Sequence, residues 1–570
     1  MKLGLDHIGD GAAHMEEALR FYGDLGLAET SFGDAGRVRD LDLAVRGLSA
    51  VGVEFVSEPQ TIDVDGGLWR YAYRKEPDGN YTALCEARYR QQQRRETHME
   101  TSARGHKASA SSAHPYIPNS APATREAMLK RCSVASVEEL FASIPSRLRA
   151  PKKLGLPPAL TSEPELRRYF SQALARNVDT TEHLSFLGGG CWAHSVPAVC
   201  DEIATRAEFW SACIGMGGAS TTGAYQALFE YQSLISELVG LDLTALPTND
   251  WAWAAGQALL MAVRVTGRSR ILVADTVGPR RRRQIATRLP GGVELELVGH
   301  DPASGSIDLD ALRSEVDGVA ALYFENPSYL GLFEPELDRI RALTAEAGCL
   351  LIAGLDPTSL GIARDPGSYG ADMACGDLQP LGHHPTFGGS TAGFLACRFD
   401  ETLIAELPNI FVVAVPTVRE GEHDYFLGNF ETTSYATRGQ ADDVIGSASI
   451  GAGIASAAYL SLLGPAGMRE LGETLRARLR YLSKRLDAID GISTRRLWGW
   501  PFKEMVVDFS ATDRTVDQIN RALLERGIFG GTSLETDFPE LAGCALYSVT
   551  ELHTREDLER LATNLEEIVR

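Results

Sequence analysis

Three short stretches of the chain are apolar at every position rather than at alternate ones: Ile271-Leu272-Val273-Ala274 behind Arg270, Ala320-Ala321-Leu322-Tyr323-Phe324, and Cys349-Leu350-Leu351-Ile352-Ala353. A strand with one wet face alternates polar and apolar residues, whereas a strand covered on both faces reads as a continuous apolar run. The stretches between them have the composition of helices, and the resulting βαβα alternation predicts a doubly wound, mainly parallel sheet over 215–446. An amphipathic helix from Ala224 to a glycine stop at Gly240 leads into it. Downstream, 447–570 reads as a small α+β domain with a long helical stretch around Leu460 to Leu486, a strand Glu504 to Phe509 and a closing helix Thr554 to Arg570. No chemistry is marked there. Upstream, 114–214 reads as helical and loop-rich, with hydroxyl N-caps expected at Thr124 and Ser136. Residues 90–113 are polar and aperiodic, which predicts a linker. Residues 1–89 carry strand-like runs and one helix, Met15 to Tyr22.

Length and composition agree with this division. A chain of 570 residues exceeds what one core serves, and 44% hydrophobic with 23% charged residues is ordinary for a globular protein. The formal net charge of −21 argues against a nucleic-acid footprint. The one basic run, Arg280 to Arg283, is expected to be a solvated turn or helix start. No run of about 20 apolar residues is recognised and no apolar leader follows Met1, so no membrane partner and a cytoplasmic location are expected. The nine cysteines are scattered without a CxxC pair, which argues against a structural zinc or a disulfide framework.

Candidate chemistry gathers where open α/β sheets present ligands, at the carboxyl ends of the strands. Asp356 closes the third apolar run, and Asn326 and Tyr329 follow the second on the same edge, so a pocket is expected there. The Gly188-Gly189-Gly190 turn either brings backbone close to a ligand or makes a sharp turn. His194 is expected to be packed or hydrogen-bonded rather than a base, and Trp251 and Trp253 to fill core. The lysines are Lys2, Lys75, Lys107, Lys130, Lys152, Lys153, Lys484 and Lys503, so none lies between Leu154 and Ser483.

These features resemble a family. The segment 350–398, together with HPYIPNS (114–120), SVEELFASIP (136–145), PALTSEPELRRY (158–169), SFLGGGCWAHSVPAVCDEIATRAEFW (185–210), YQALFEYQSLISELVGLD (225–242) and AAYLSLLGPAGMREL (457–471), is similar to subunit 1 of glycine decarboxylase, the P-protein of the glycine cleavage system, over about 115–570. The resemblance implies an α/β fold, the pyridoxal phosphate (PLP)-dependent transferase fold type I. In that fold an aspartate placed like Asp356 pairs with the pyridinium nitrogen, and a lysine some twenty residues on forms the Schiff base. Gln379 stands at the lysine position and cannot form an imine. Asp356, Asn326 and Gln379 are thus the expected remnant of a PLP pocket, with no catalytic residue. The family's small-residue phosphate loop is replaced by Asn249-Asp250-Trp251-Ala252-Trp253-Ala254, and its basic run by Arg438-Gly439-Gln440-Ala441-Asp442-Asp443. The implied cofactor is PLP held only by a partner, a lysine-bearing subunit 2-like chain. Glycine is the implied substrate and a lipoyl carrier protein the implied acceptor. The alternative is a lapsed scaffold or binding protein of this fold recruited to specialised metabolism. Residues 1–89 resemble a truncated vicinal-oxygen-chelate (glyoxalase-like) module, a partial βαβββ unit. It retains only His7 and Glu86 of the metal positions, so no metal is expected there.

Overall fold

The computed structural model describes residues 117, 120–149, 155–157, 160, 162–210, 222–386, 392–408, 411–428 and 449–570, and the backbone of 60–64, 67–75 and 81–89. The expectations for His7, the helix Met15 to Tyr22, the 90–113 linker and the Arg438 to Asp443 run lie outside the described residues, as does the side chain of Glu86. The chain forms two compact units, Met1–Pro157 and Pro158–Arg570.

In the first unit, strands Gln60–Val64, Gly67–Lys75 and Tyr81–Tyr89 form an antiparallel meander in which Arg70 stands opposite Glu86. A helix spans Pro122–Arg131 and begins one turn earlier than its hydroxyl signal suggests. Proline, which lacks an N–H to satisfy, occupies its first turn, and Ala121 rather than Thr124 stands at the N-cap. Ser136 precedes a 3-10 turn, Val137–Phe141, without capping it, and the Ala135 N–H donates instead to Glu139 Oε2 at 3.0 Å.

The second unit is built on a seven-stranded sheet. In spatial order its strands are Leu243–Thr244, Gly393–Cys397, Met373–Asp377, Leu350–Leu355, Val319–Glu325, Arg270–Ala274 and Glu294–Val298. The strands from Met373–Asp377 to Glu294–Val298 run parallel, and Gly393–Cys397 closes that edge antiparallel to Met373–Asp377. Every residue of Val319–Glu325 is buried, because helices cover both faces, and this is why that strand reads as unbroken apolar sequence. Helix Trp251–Thr266 packs on the sheet through Ala254, Ala255, Ala258 and Ala262. It stops at Gly267, whose φ of +66° is the left-handed conformation that a helix C-terminus favours.

Helix Ile450–Leu486 links the sheet to the C-terminal domain, and Gly464 (φ +59°) followed by Pro465 breaks it in the middle. By length and composition it is apolar enough to cross a membrane, which corrects the expectation that no such stretch exists. Its apolar residues are used on the fold: Ala455, Tyr459, Leu460 and Met468 pack beside the sheet, and Leu479, Leu482 and Leu486 in the C-terminal core. In that domain strand Glu504–Asp508 pairs with Cys544–Ser548, and helix Arg555–Val569 starts from a reciprocal Thr554–Asp557 capping box. Two features stitch the domain to the sheet edge. Trp500–Pro501 pairs with Leu332–Phe333, and Gly331 (φ +84°) lies so close that a Cβ there would stand 2.2 Å from the Glu504 carbonyl oxygen.

Candidate functional site

The parallel strands end in a line of polar residues. Glu325 is the last residue of Val319–Glu325 and Asn326 the next, Asp356 follows Leu350–Leu355, and Asp377 ends Met373–Asp377. All four are buried. The carboxyl-end crevice of the sheet is therefore real, and the question is what fills it.

At Asp356 the filling comes from the C-terminal domain. Lys503 Nζ lies 2.6 Å from Asp356 Oδ2, with both side chains almost wholly buried (2% and 5% exposed). The same ammonium lies 2.9 Å from His194 Nε2 and 3.6 Å from the centre of the Trp192 ring. Asp356 Oδ1 accepts from the Thr358 N–H at 3.1 Å and the Thr358 hydroxyl at 2.8 Å, which makes the aspartate the cap of the 3-10 turn Pro357–Gly361. On its far side His194 Nδ1 is 2.8 Å from Glu551 Oε2, and Glu551 Oε1 accepts the Ser195 N–H at 2.6 Å. Burial, and then the Lys503 charge, push His194 below the usual histidine range. Burial works against the Glu551 charge, but the hydrogen bonds from His194 and Ser195 hold its pKa down to about 2. His194 is thus hydrogen-bonded, as expected. Although the sequence marks no chemistry in 447–570, Lys503, Glu504 and Glu551 of that domain all reach this edge.

The glycine turn serves the same approach. The Gly189 N–H donates to Glu504 Oε1 at 2.6 Å, and a Cβ on Gly188 would sit 2.1 Å from that oxygen, so the backbone is drawn close to a carboxylate of this chain. Burial pushes the Glu504 carboxyl up.

A second buried network lies at Glu325. Arg281 reaches it bidentately, Nη2 to Oε2 at 2.6 Å, with the carboxylate fully buried and the arginine side chain 13% exposed. The Gly278 N–H donates to Oε2 at 3.1 Å and the Tyr323 hydroxyl to Oε1 at 3.2 Å. Trp251 Nε1 donates to the Tyr323 hydroxyl at 3.0 Å, and the Arg281 guanidinium stacks 3.8 Å from the Trp251 ring centre. The arginine run is therefore only partly solvated. It opens the helix Pro279–Arg288, and Arg281 shares a face with the buried Ile285 one turn on.

The start of helix Trp251–Thr266 is where the resemblance places a phosphate. Helix N-termini attract anions through their free N–H groups. Here the Asp250 carboxylate already takes the Trp253 N–H at 2.7 Å and is approached by Gln284 Nε2 at 3.2 Å. Trp251 and Trp253 are buried in core, as expected.

Of the three residues expected to mark a pocket, Asp356 lines the remaining cavity, together with Trp192, Trp251, Arg281, Tyr329 and Lys503. Asn326 and Gln379 are buried beside it and committed elsewhere. Asn326 Oδ1 accepts the Glu334 N–H at 3.0 Å. Gln379 Nε2 donates to the carbonyls of Trp192 at 2.8 Å and His383 at 3.0 Å, and its Oε1 accepts the Trp192 N–H at 3.3 Å. The cavity left is about 20 Å³, enough for one water. Cofactor pockets run from roughly 300 to 1,000 Å³.

With this geometry in view, comparison with known proteins places the chain. A family model described as the glycine cleavage system P-protein matches residues 114–565. The probable glycine dehydrogenase (decarboxylating) subunit 1 of Thermococcus onnurineus is 35% identical over 454 residues, covering 80% of this chain and 99% of its own. Its counterpart from Staphylothermus marinus is 34% identical over 465 residues, covering 80% and 98%. Among solved structures, a glycine decarboxylase (P-protein) of the glycine cleavage system in inhibitor-bound form superposes with a TM-score of 0.71 at 32% identity, over 80% of this chain and all (100%) of that one. The sphingosine-1-phosphate lyase of Burkholderia pseudomallei shares the fold alone, with a TM-score of 0.53 at 17% identity over 75% of this chain and 94% of that one. The chain belongs to the glycine cleavage system P-protein family and has its fold, the PLP-dependent transferase fold type I.

Proposed function

We propose that this chain is the non-lysine subunit of a glycine decarboxylase, supporting decarboxylation of glycine on a lysine-bearing partner that carries PLP and passes the aminomethyl group to a lipoyl carrier protein. The observation that carries the reading is that the crevice is filled by side chains of the chain itself. PLP does not fit it. Lys503 stands at the Asp356 carboxylate that would face a ring nitrogen, the Asp250 carboxylate holds the helix N-terminus that would face a phosphate, and Gln379 replaces the imine-forming lysine. A second observation supports a partner. On helix Glu163–Leu174, Leu166, Tyr169, Phe170 and Leu174 form an apolar stripe at helical spacing, and no residue of that helix is buried. A cytoplasmic location goes with this reading.

The filled crevice equally suits the alternative, a scaffold that has kept the fold and lost the reaction. Glycine–bicarbonate exchange separates the two. This chain alone is expected to show none, and addition of the co-encoded lysine-bearing chain to produce it in a form abolished by replacing that partner's Schiff-base lysine. Exchange by this chain alone contradicts the subunit reading. A stable complex without exchange supports the scaffold.

A further inference from the structure

We propose that Lys503 is an internal ligand: its ammonium occupies a cation site built from Asp356, His194 and Trp192, and by filling it clasps the C-terminal domain onto the carboxyl edge of the sheet. A lysine ammonium has three N–H donors and no acceptor. Its three neighbours here are the Asp356 carboxylate, in ion-pair contact at 2.6 Å, the His194 Nε2 lone pair at 2.9 Å and the Trp192 π face at 3.6 Å. Because the ammonium cannot accept, Nε2 must, so His194 is the neutral Nδ1–H tautomer and donates to Glu551 at 2.8 Å.

The site is completed on every side. Asp356 Oδ1 takes the Thr358 hydroxyl, and Oδ2 is ion-paired with Lys503 without the geometry of a hydrogen bond. Both Glu551 oxygens are engaged, by His194 and by the Ser195 N–H. The Trp192 backbone is fixed by the Gln379 amide, which accepts its N–H and donates to its carbonyl. Lys503 and Glu551 come from the C-terminal domain, and the residues they meet come from the rest of the unit, so the chain of contacts crosses the junction twice. A buried pair of this kind adds little net stability over a well-packed apolar substitute, but removing one member strands the other charge. The structure thus assigns Lys503 the role of a surrogate for a ligand's cation. A small primary ammonium should be able to take its place.

This inference rests on the reading that the crevice holds no cofactor, but its test needs neither cofactor nor partner. The full chain is compared with Lys503→Ala and Lys503→Ala/Asp356→Asn by thermal unfolding in ethylammonium chloride, against tetramethylammonium chloride at equal ionic strength. Lys503→Ala should melt below the wild type and recover saturably, by a few degrees, in ethylammonium alone. The wild type and the double variant should not respond. A Lys503→Ala protein indifferent to ethylammonium overturns the proposal and leaves the subunit reading standing, whereas a PLP adduct on the wild type would sink that reading. If Lys503→Ala does not fold, the isosteric neutral pair Lys503→Met/Asp356→Asn decides. It should fold and melt above either single variant, and a double variant no better than the worse single overturns the clasp.

Discussion

Replacing Arg281 by alanine should cost about 3–5 kcal/mol of unfolding free energy, because it leaves the buried Glu325 carboxylate without its counter-charge. Glu325 is wholly buried, and its remaining donors, the Gly278 N–H and the Tyr323 hydroxyl, are neutral. The substitution also takes the guanidinium off the Trp251 ring. Burial alone would lower the arginine pKa, but the charge and hydrogen bonds of Glu325 outweigh it and raise it, so the guanidinium stays charged beside Glu325. The partner substitution distinguishes a stranded charge from a lost contact. Arg281→Met/Glu325→Gln should recover most of the loss, since neither residue then carries a charge. Denaturant titration of the three variants reads this, and a loss below about 1 kcal/mol for Arg281→Ala would contradict the account.

The second large effect concerns assembly. Phe170→Asp on helix Glu163–Leu174 should weaken the complex with the lysine-bearing chain by about 30-fold or more, as loss of an aromatic anchor worth roughly 2 kcal/mol or above does. The ring is half exposed (53%) and packs edge-on to Tyr169 at 5.5 Å, so the substitution removes little from the chain's own core. Its unfolding free energy should move by less than about 1 kcal/mol. Arg168→Glu, beside the stripe, serves as the charge control and should leave affinity nearly unchanged. Sedimentation or titration calorimetry with the partner measures it, and an unaltered Kd for Phe170→Asp would remove this helix from the interface.

The sheet was legible because its central strands are covered on both faces, which writes the burial of Ala320 to Phe324 and Leu350 to Ala353 directly into composition. Asp356 was legible for the same reason, since a polar residue ending such a run must sit at the carboxyl edge. Lys503 was not. Its partners His194 and Asp356 lie far off in sequence, and no spacing encodes a contact between domains. The signal present was local: one lysine inside Pro501-Phe502-Lys503-Glu504-Met505-Val506-Val507, where an ammonium in an apolar run demands a buried partner. Arg281 could have been separated from its neighbours by helical period, since it lies one turn before Ile285 on the covered face. Gln379 is unable by its chemistry to form an imine, and its work in holding the Trp192 backbone depends on a turn that composition does not reveal.

The central claim is that this chain holds no PLP of its own, and reduction tests it most directly. The complex with the lysine-bearing chain is loaded with PLP, treated with borohydride and mapped by peptide mass. The account predicts a pyridoxyl-lysine on the partner and none on this chain, with the Lys503 peptide recovered unmodified. A stoichiometric pyridoxyl group on Lys503 would contradict it.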